Sequence, residues 1–163
     1  MRARNVDSSP AQLTLSATPK RILVPLDFSA CSLQALRHAL TFAKLCHAEI
    51  VLVHVVEPLH PGSMLENSEI RRLRNLALHE AEHRLAEVAR TSVKPHAPVH
   101  YLVRAGKPFA VVADLARKTA SDLIVLGTHG HTGFPAVVLG STAERVTRRA
   151  HCPVLMVRAP ASR

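Results

Sequence analysis

The sequence predicts an α/β fold: a doubly wound five-stranded parallel sheet with helices on both faces, Rossmann-like in its winding. Three observations predict it. Five short apolar runs of strand length recur along the 163 residues. Four longer stretches between them place their apolar residues at helical spacing. The two kinds alternate strictly, as βαβαβαβαβ, and parallel strands need such helical crossovers.

The first strand is Ile22-Leu23-Val24-Pro25-Leu26, preceded by Lys20-Arg21. Pro25 has no N–H for a ladder and belongs at the strand's end. Asp27 follows at the tip, and Ser29 suits a helix N-cap. From Leu33 a helical stripe runs through Leu36, Leu40 and Ala43, broadened by Ala35, Ala39, Phe42 and Cys46. Glu49 leads into the second strand, Ile50 to Val56, rich in β-branched residues. Pro58, Pro61 and Gly62 mark a loop. A long helix is expected from Glu66 to Thr91, with Ile70, Leu73, Ala77, Ala81, Leu85 and Val88 on one face. Val99 to Val103 alternates and reads as the third strand. Gly106-Lys107-Pro108 makes a turn, with Pro108 at a first helical position. Val111, Val112, Leu115 and Ala116 form the next stripe. Leu123 to Leu126 is the fourth strand, and Gly140-Ser141-Thr142 opens a helix carrying Ala143, Val146 and Ala150. Pro153 introduces the fifth strand, Val154 to Val157.

The length suits one domain, placed at 20–158, between a polar tail at 1–19 expected to be disordered and a short tail at 159–163. The chain is 47% hydrophobic, enough for a sizeable core. No apolar run reaches the ~18–20 residues of a membrane span, and Met1 to Pro19 has no apolar h-region. The expected location is the cytoplasm. Cys31, Cys46 and Cys152 are three, with no CxxC, and read as core residues or free thiols. The net charge of +9 raises the question of a polyanionic partner. The basic residues are scattered, however, and one Tyr with no Trp leaves few stacking platforms. A solvated basic surface is the better reading, and nucleic acid is not the expected partner.

Function concentrates between Asp122 and Thr142. A buried strand breaks at Gly127 into a loop with Gly130 and Gly133, and the chain resumes at the helix start Gly140-Ser141. A mobile loop that merely needed a turn would be served by one glycine. Spaced glycines admit close backbone approach and φ > 0, and a helix start presents unpaired N–H groups with a partial positive charge. The pattern predicts a phosphate site. In a doubly wound sheet, ligands bind beyond the strand ends where strand order reverses. Strands one and four should be neighbours there, bringing Asp27 and Gly127 to one crevice. Neither GxxxxGK[ST] nor GxGxxG is present, which argues against a P-loop ATPase and a dinucleotide dehydrogenase.

Gly127, Gly130, Gly140 and Ser141 match Gly-x2-Gly-x9-Gly-Ser/Thr. With Val24-Pro25-Leu26-Asp27-Phe28-Ser29, His54-Val55, Gly106-Lys107-Pro108 and Cys152-Pro153-Val154-Leu155, the chain resembles the universal stress protein family, in its ATP-binding subgroup. The resemblance covers about Lys20 to Arg158. It implies a universal stress protein type of fold and an ATP-binding module that acts in stress response or signalling. It implies that Asp27 and the backbone of Val55 hold the base and ribose end, with Pro25 beside them. Gly127, Gly130 and the loop between them would line ribose and phosphates, and Gly140, Ser141 and Thr142 would grip the phosphates. The residue chemistry agrees: an Asp at a strand tip accepts from ribose hydroxyls or an amine. Hydroxyls at a helix start donate to phosphate or help hold Mg or Mn. Asp27 also suits a helix cap beside Ser29. His129 is placed to meet a phosphate or else lies in solvent; no orienting partner follows it in sequence, so no catalytic base is assigned.

His79-Glu80-Ala81-Glu82-His83 matches HExxH. Ala77, Ala81 and Val88 mark that helix's inner face, which puts both histidines in water and away from the crevice, so a protease is not expected. Two other functions compete with the ATP-dependent module. One is a slow ATPase or phosphotransferase, for which the sequence offers no base or arginine finger. The other is a partner-binding stress protein that does not use nucleotide. The family commonly dimerises, and the apolar run Val154, Leu155, Met156 and Val157, at the sheet edge by chain order, is the expected homodimer contact.

Overall fold

A computed structural model describes residues 18–58, 68–129 and 140–158. The elements are β1 (Arg21–Pro25), α1 (Ala30–Cys46), β2 (Glu49–Val56), α2 (Ser68–Val88), β3 (Val99–Ala105), α3 (Pro108–Lys118), β4 (Leu123–Gly127), α4 (Ser141–Arg149) and β5 (Val154–Val157). A π-helical turn, Ala89–Val93, extends α2. The sheet order is β3-β2-β1-β4-β5, and every neighbouring pair is parallel. The predicted doubly wound sheet is therefore the observed one.

Alternation along β1 explains the two layers. Ile22 and Val24 point into one core with Ala35, Leu36 and Ala39 of α1 and Leu85 of α2. Leu23 points into the other, with Val112, Leu115 and Ala116 of α3 and Ala143 and Val146 of α4. Ile50 and Leu52 against Val51 and Val53 repeat the pattern on β2. Both faces are covered, which is why these strands read as continuous apolar runs. Pro25 ends β1, where its missing donor costs no ladder bond. Below the sheet, the Asp122 carboxylate accepts from the backbone N–H of Lys20 (3.0 Å) and Arg21 (3.1 Å). That fastens the start of β1 to the start of β4.

Two residues read as core are not. Phe42 is 37% exposed and Leu73 is 48% exposed. The buried stripe of α1 is Ala35, Leu36, Ala39 and Ala43, mostly small residues that let the helix sit close to the sheet; Phe42 falls at the side of that stripe. In α2 no residue before Ala81 is fully buried, so the N-terminal half of this helix, Leu73 included, lies outside the core. The helix is described from Ser68, and Glu66 lies outside the described residues; at the other end α-helical geometry gives way after Val88 to the π-helical turn Ala89–Val93, which contains the expected end at Thr91.

Candidate functional site

β1 and β4 are neighbours, paired in register Ile22 to Leu123 and Leu23 to Ile124. Sheet order reverses there, so the C-terminal ends of both strands, with Asp27 and Thr128 just beyond them, lie side by side at the switch point. This is the convergence the sequence predicts.

On the β1 side, Asp27 and Ser29 share one network. Asp27 Oδ1 accepts from the Ser29 backbone N–H at 3.0 Å and from Ser29 Oγ at 2.6 Å. Ser29 Oγ in turn accepts from the Ser32 N–H, which makes Ser29 the N-cap of α1. Asp27 thus has the cap-supporting role its sequence position suggests. Pro25 lies at the end of the same strand, opposite Val53. Val55 is on β2, two residues beyond that register, and half-buried.

On the β4 side the glycines are explained first by the chain itself. A Cβ on Gly127 would stand 2.8 Å from Cys31 Sγ and 3.1 Å from the Cys31 carbonyl carbon. Glycine here lets α1 pack close against β4. A Cβ on Gly140 would stand 2.8 Å from the Thr128 carbonyl oxygen, which accepts from the Gly140 N–H at 2.9 Å. Neither glycine has a positive φ; among the described glycines only Gly106 does, at 146°. The conformational reason given for these glycines is therefore corrected: close approach within the protein requires them.

Thr128 is the residue that sequence reasoning missed. It is buried, its N–H donates to the Val157 carbonyl at 2.9 Å, and its carbonyl holds Gly140. Its Oγ1 lies 2.9 Å from His129 Nδ1. One threonine thus ties the tip of β4 to β5, to the start of α4 and to His129. Cys31 is the second missed residue: buried under Gly127, its thiol donates to the Val157 carbonyl at 3.3 Å. Both contacts join segments far apart in sequence, and only small side chains at strand and helix tips hint at them.

At the start of α4, Gly140 is an N-cap with no side-chain hydrogen bond. Ser141 is exposed and Thr142 half-buried. Among the described residues no side chain caps the orphan N–H groups of this turn. Glu144 in the same turn reaches along the helix to Arg148 at 3.7 Å. His129 Nε2 is buried and has no hydrogen-bond partner. A buried polar atom without a partner is costly, and this one belongs to the loop the sequence assigns to phosphate. Gly130, predicted in the site, lies outside the described residues, as does Gly133.

On α2, Ala81 and Leu85 are buried while His79 and His83 are exposed, their rings edge-to-face at 5.0 Å. Among the described residues no three His, Cys, Asp or Glu side chains converge as for a metal. No helix of the described residues is long and apolar enough to cross a membrane.

A five-stranded, all-parallel sheet with helices on both faces and its order reversing between β1 and β4 defines a doubly wound α/β module. The chain belongs to the universal stress protein family, whose pattern matches residues 18–158. Universal stress protein MJ0531 of Methanocaldococcus jannaschii is 35% identical over 141 residues, covering 86% of this chain and 83% of its own length. The solved structure of hypothetical protein MJ0577 superposes with a TM-score of 0.79 at 28% identity, over 89% of this chain and 99% of that one. A universal stress protein solved in complex with cAMP has the same fold, with a TM-score of 0.58 at 24% identity, over 88% of this chain and 99% of its own.

Proposed function

We propose that this universal stress protein binds ATP, with Mg or Mn, at the crevice between the tips of β1 and β4, and acts as a nucleotide-dependent stress-response or signalling module. The observation that carries the reading is the juxtaposition at one switch point of Asp27, the uncapped start of α4 and the unpartnered Nε2 of His129. The donor set fits a phosphate ester: N–H groups and hydroxyls of Gly140, Ser141 and Thr142 at a helix start, with an imidazole beside them. Asp27 is an acceptor suited to ribose hydroxyls or an amine, with Pro25 and the backbone of Val55 flanking it. Gly127 shapes the floor, and Gly130 completes the motif by sequence. A divalent ion would neutralise phosphate charge; the hydroxyls of Ser141 and Thr142 are the side chains that would face it. The cAMP complex of a protein of the same fold adds cAMP as a competitor to test.

The module reading is taken over a phosphotransferase because the sequence offers no arginine finger and, among the described residues, the imidazole at the site, His129, is oriented by the Thr128 hydroxyl and not by a carboxylate. The domain is taken as 20–158, working in the cytoplasm as a homodimer through Val154, Leu155, Met156 and Val157. Support for the dimer is the edge position of β5 and the exposure of Met156 on it. A monomeric mass by sedimentation equilibrium at ~10–50 µM, where a stable interface persists, would rule that contact out. Calorimetric titration with ATP and Mg²⁺ tests the ligand. Saturable binding that Gly130→Val abolishes is expected. Absence of binding in folded, nucleotide-free protein would leave the partner-binding reading.

A further inference from the structure

Phe28 stands between Asp27 and the N-cap Ser29 with φ 65°. That left-handed conformation is strained for a bulky side chain and persists only where its surroundings enforce it. Two side chains from different elements flank the ring. The Arg84 guanidinium, from α2, lies 4.1 Å from its centroid. The His54 ring, from the end of β2, lies 4.8 Å away and tilted by 33°. His54 is itself anchored: its Nδ1–H donates to the Leu26 carbonyl at 2.6 Å. Arg84 is exposed, and among the described residues no carboxylate pairs with it. Glu87, which lines the same shallow groove, turns its carboxylate to Arg90 instead.

We propose that Arg84, Phe28 and His54 form a latch that sets the position of Asp27, so that helix α2 tunes binding at the β1–β4 crevice. The two bonds from Ser29 to Asp27 Oδ1 exist because the chain turns back at Phe28. A return of Phe28 to the usual φ of about −60° would swing Ser29 away and release the carboxylate. Arg84 and His54 are positioning residues: they hold the ring, the ring holds the turn, and the turn aims Asp27. The consequence for ligand rests on the ATP reading above; the consequence for the turn does not.

The test separates the two. Arg84→Met keeps a long apolar stem over the ring and removes the cation, while Arg84→Lys keeps a cation. Arg84 is on the exposed side of α2, so folding of both variants is checked by an unchanged circular dichroism spectrum. Two readouts follow: amide hydrogen exchange at Ser29, and calorimetric affinity for ATP with Mg²⁺. The latch predicts faster Ser29 exchange and roughly fivefold weaker ATP binding in Arg84→Met, the scale of one partly desolvated cation–π contact, with both restored toward wild type in Arg84→Lys. A purely packing role would leave Met as good as Lys. Unchanged Ser29 exchange in Arg84→Met overturns the latch. Faster Ser29 exchange in Arg84→Met, with no ATP binding by the wild-type chain, would sustain the latch and remove the nucleotide reading.

Discussion

Gly127 is required by Cys31 before it is required by any ligand. Replacement by Ala would press a methyl into the Cys31 thiol and backbone, and overpacking of this kind costs about 1–3 kcal/mol. Urea unfolding of Gly127→Ala should show a loss of that size. Adding Cys31→Ala should recover only part of it, since the Cys31 carbonyl carbon stays 3.1 Å from the new Cβ. Ser29 carries two jobs, capping α1 and holding Asp27. Ser29→Ala should cost about 1 kcal/mol of stability through the cap and also weaken nucleotide binding, read by urea unfolding and by titration. Cys152 offers a pH test. Burial pushes its thiol pKa up, and the charge of Asp122 pushes the same way. The folded chain then holds that proton more tightly than the unfolded chain. The resulting stability is fully present below the unfolded thiol value of ~8.5 and is lost as pH rises through the higher folded value. Stability should therefore fall on the alkaline side, and Cys152→Ala should lack that part of the fall.

Among the elements, α4 is short and held from outside as well as from below. Its inner face is Ala143 and Val146, while Arg145 and Arg149 lie over the Phe109 ring of α3 at 5.0 and 4.8 Å. Arg149 also sits in the last turn, where a cation suits the helix dipole. Phe109→Leu should destabilise the chain by about 1 kcal/mol, the worth of such exposed cation–π contacts, measured by denaturant unfolding. Elements of this kind were legible in the sequence because burial on both faces writes continuous apolar strands, and burial on one side writes helical stripes. β5 was read at its observed bounds, and β1 within one residue at each end. What was not legible depends on contacts across the chain. Phe42 and Leu73 fit a stripe by spacing but stay partly in solvent. The π turn after Val88 has no local signature. Thr128, Cys31 and the Arg84–Phe28–His54 stack each join segments more than twenty residues apart, and no spacing rule within one element reports that.

For the whole molecule, topology does the decisive work. The order β3-β2-β1-β4-β5 puts the ends of β1 and β4 side by side, so Asp27 and Gly140, 113 positions apart in the chain by their numbers, are brought to the same end of the sheet. The strand tips and the helix start of that crevice could be read from Asp27, Gly127 and Gly140-Ser141; its internal wiring through Thr128 could not. Whether ATP binds at this end of the sheet is decided by amide chemical-shift mapping during titration with ATP and Mg²⁺, on a chain of 17.7 kDa. The amides of Asp27, Val55, Gly127, His129, Ser141 and Thr142 should shift together along one saturation curve. Shifts confined to other surfaces, or none at saturating nucleotide, would contradict ATP binding there.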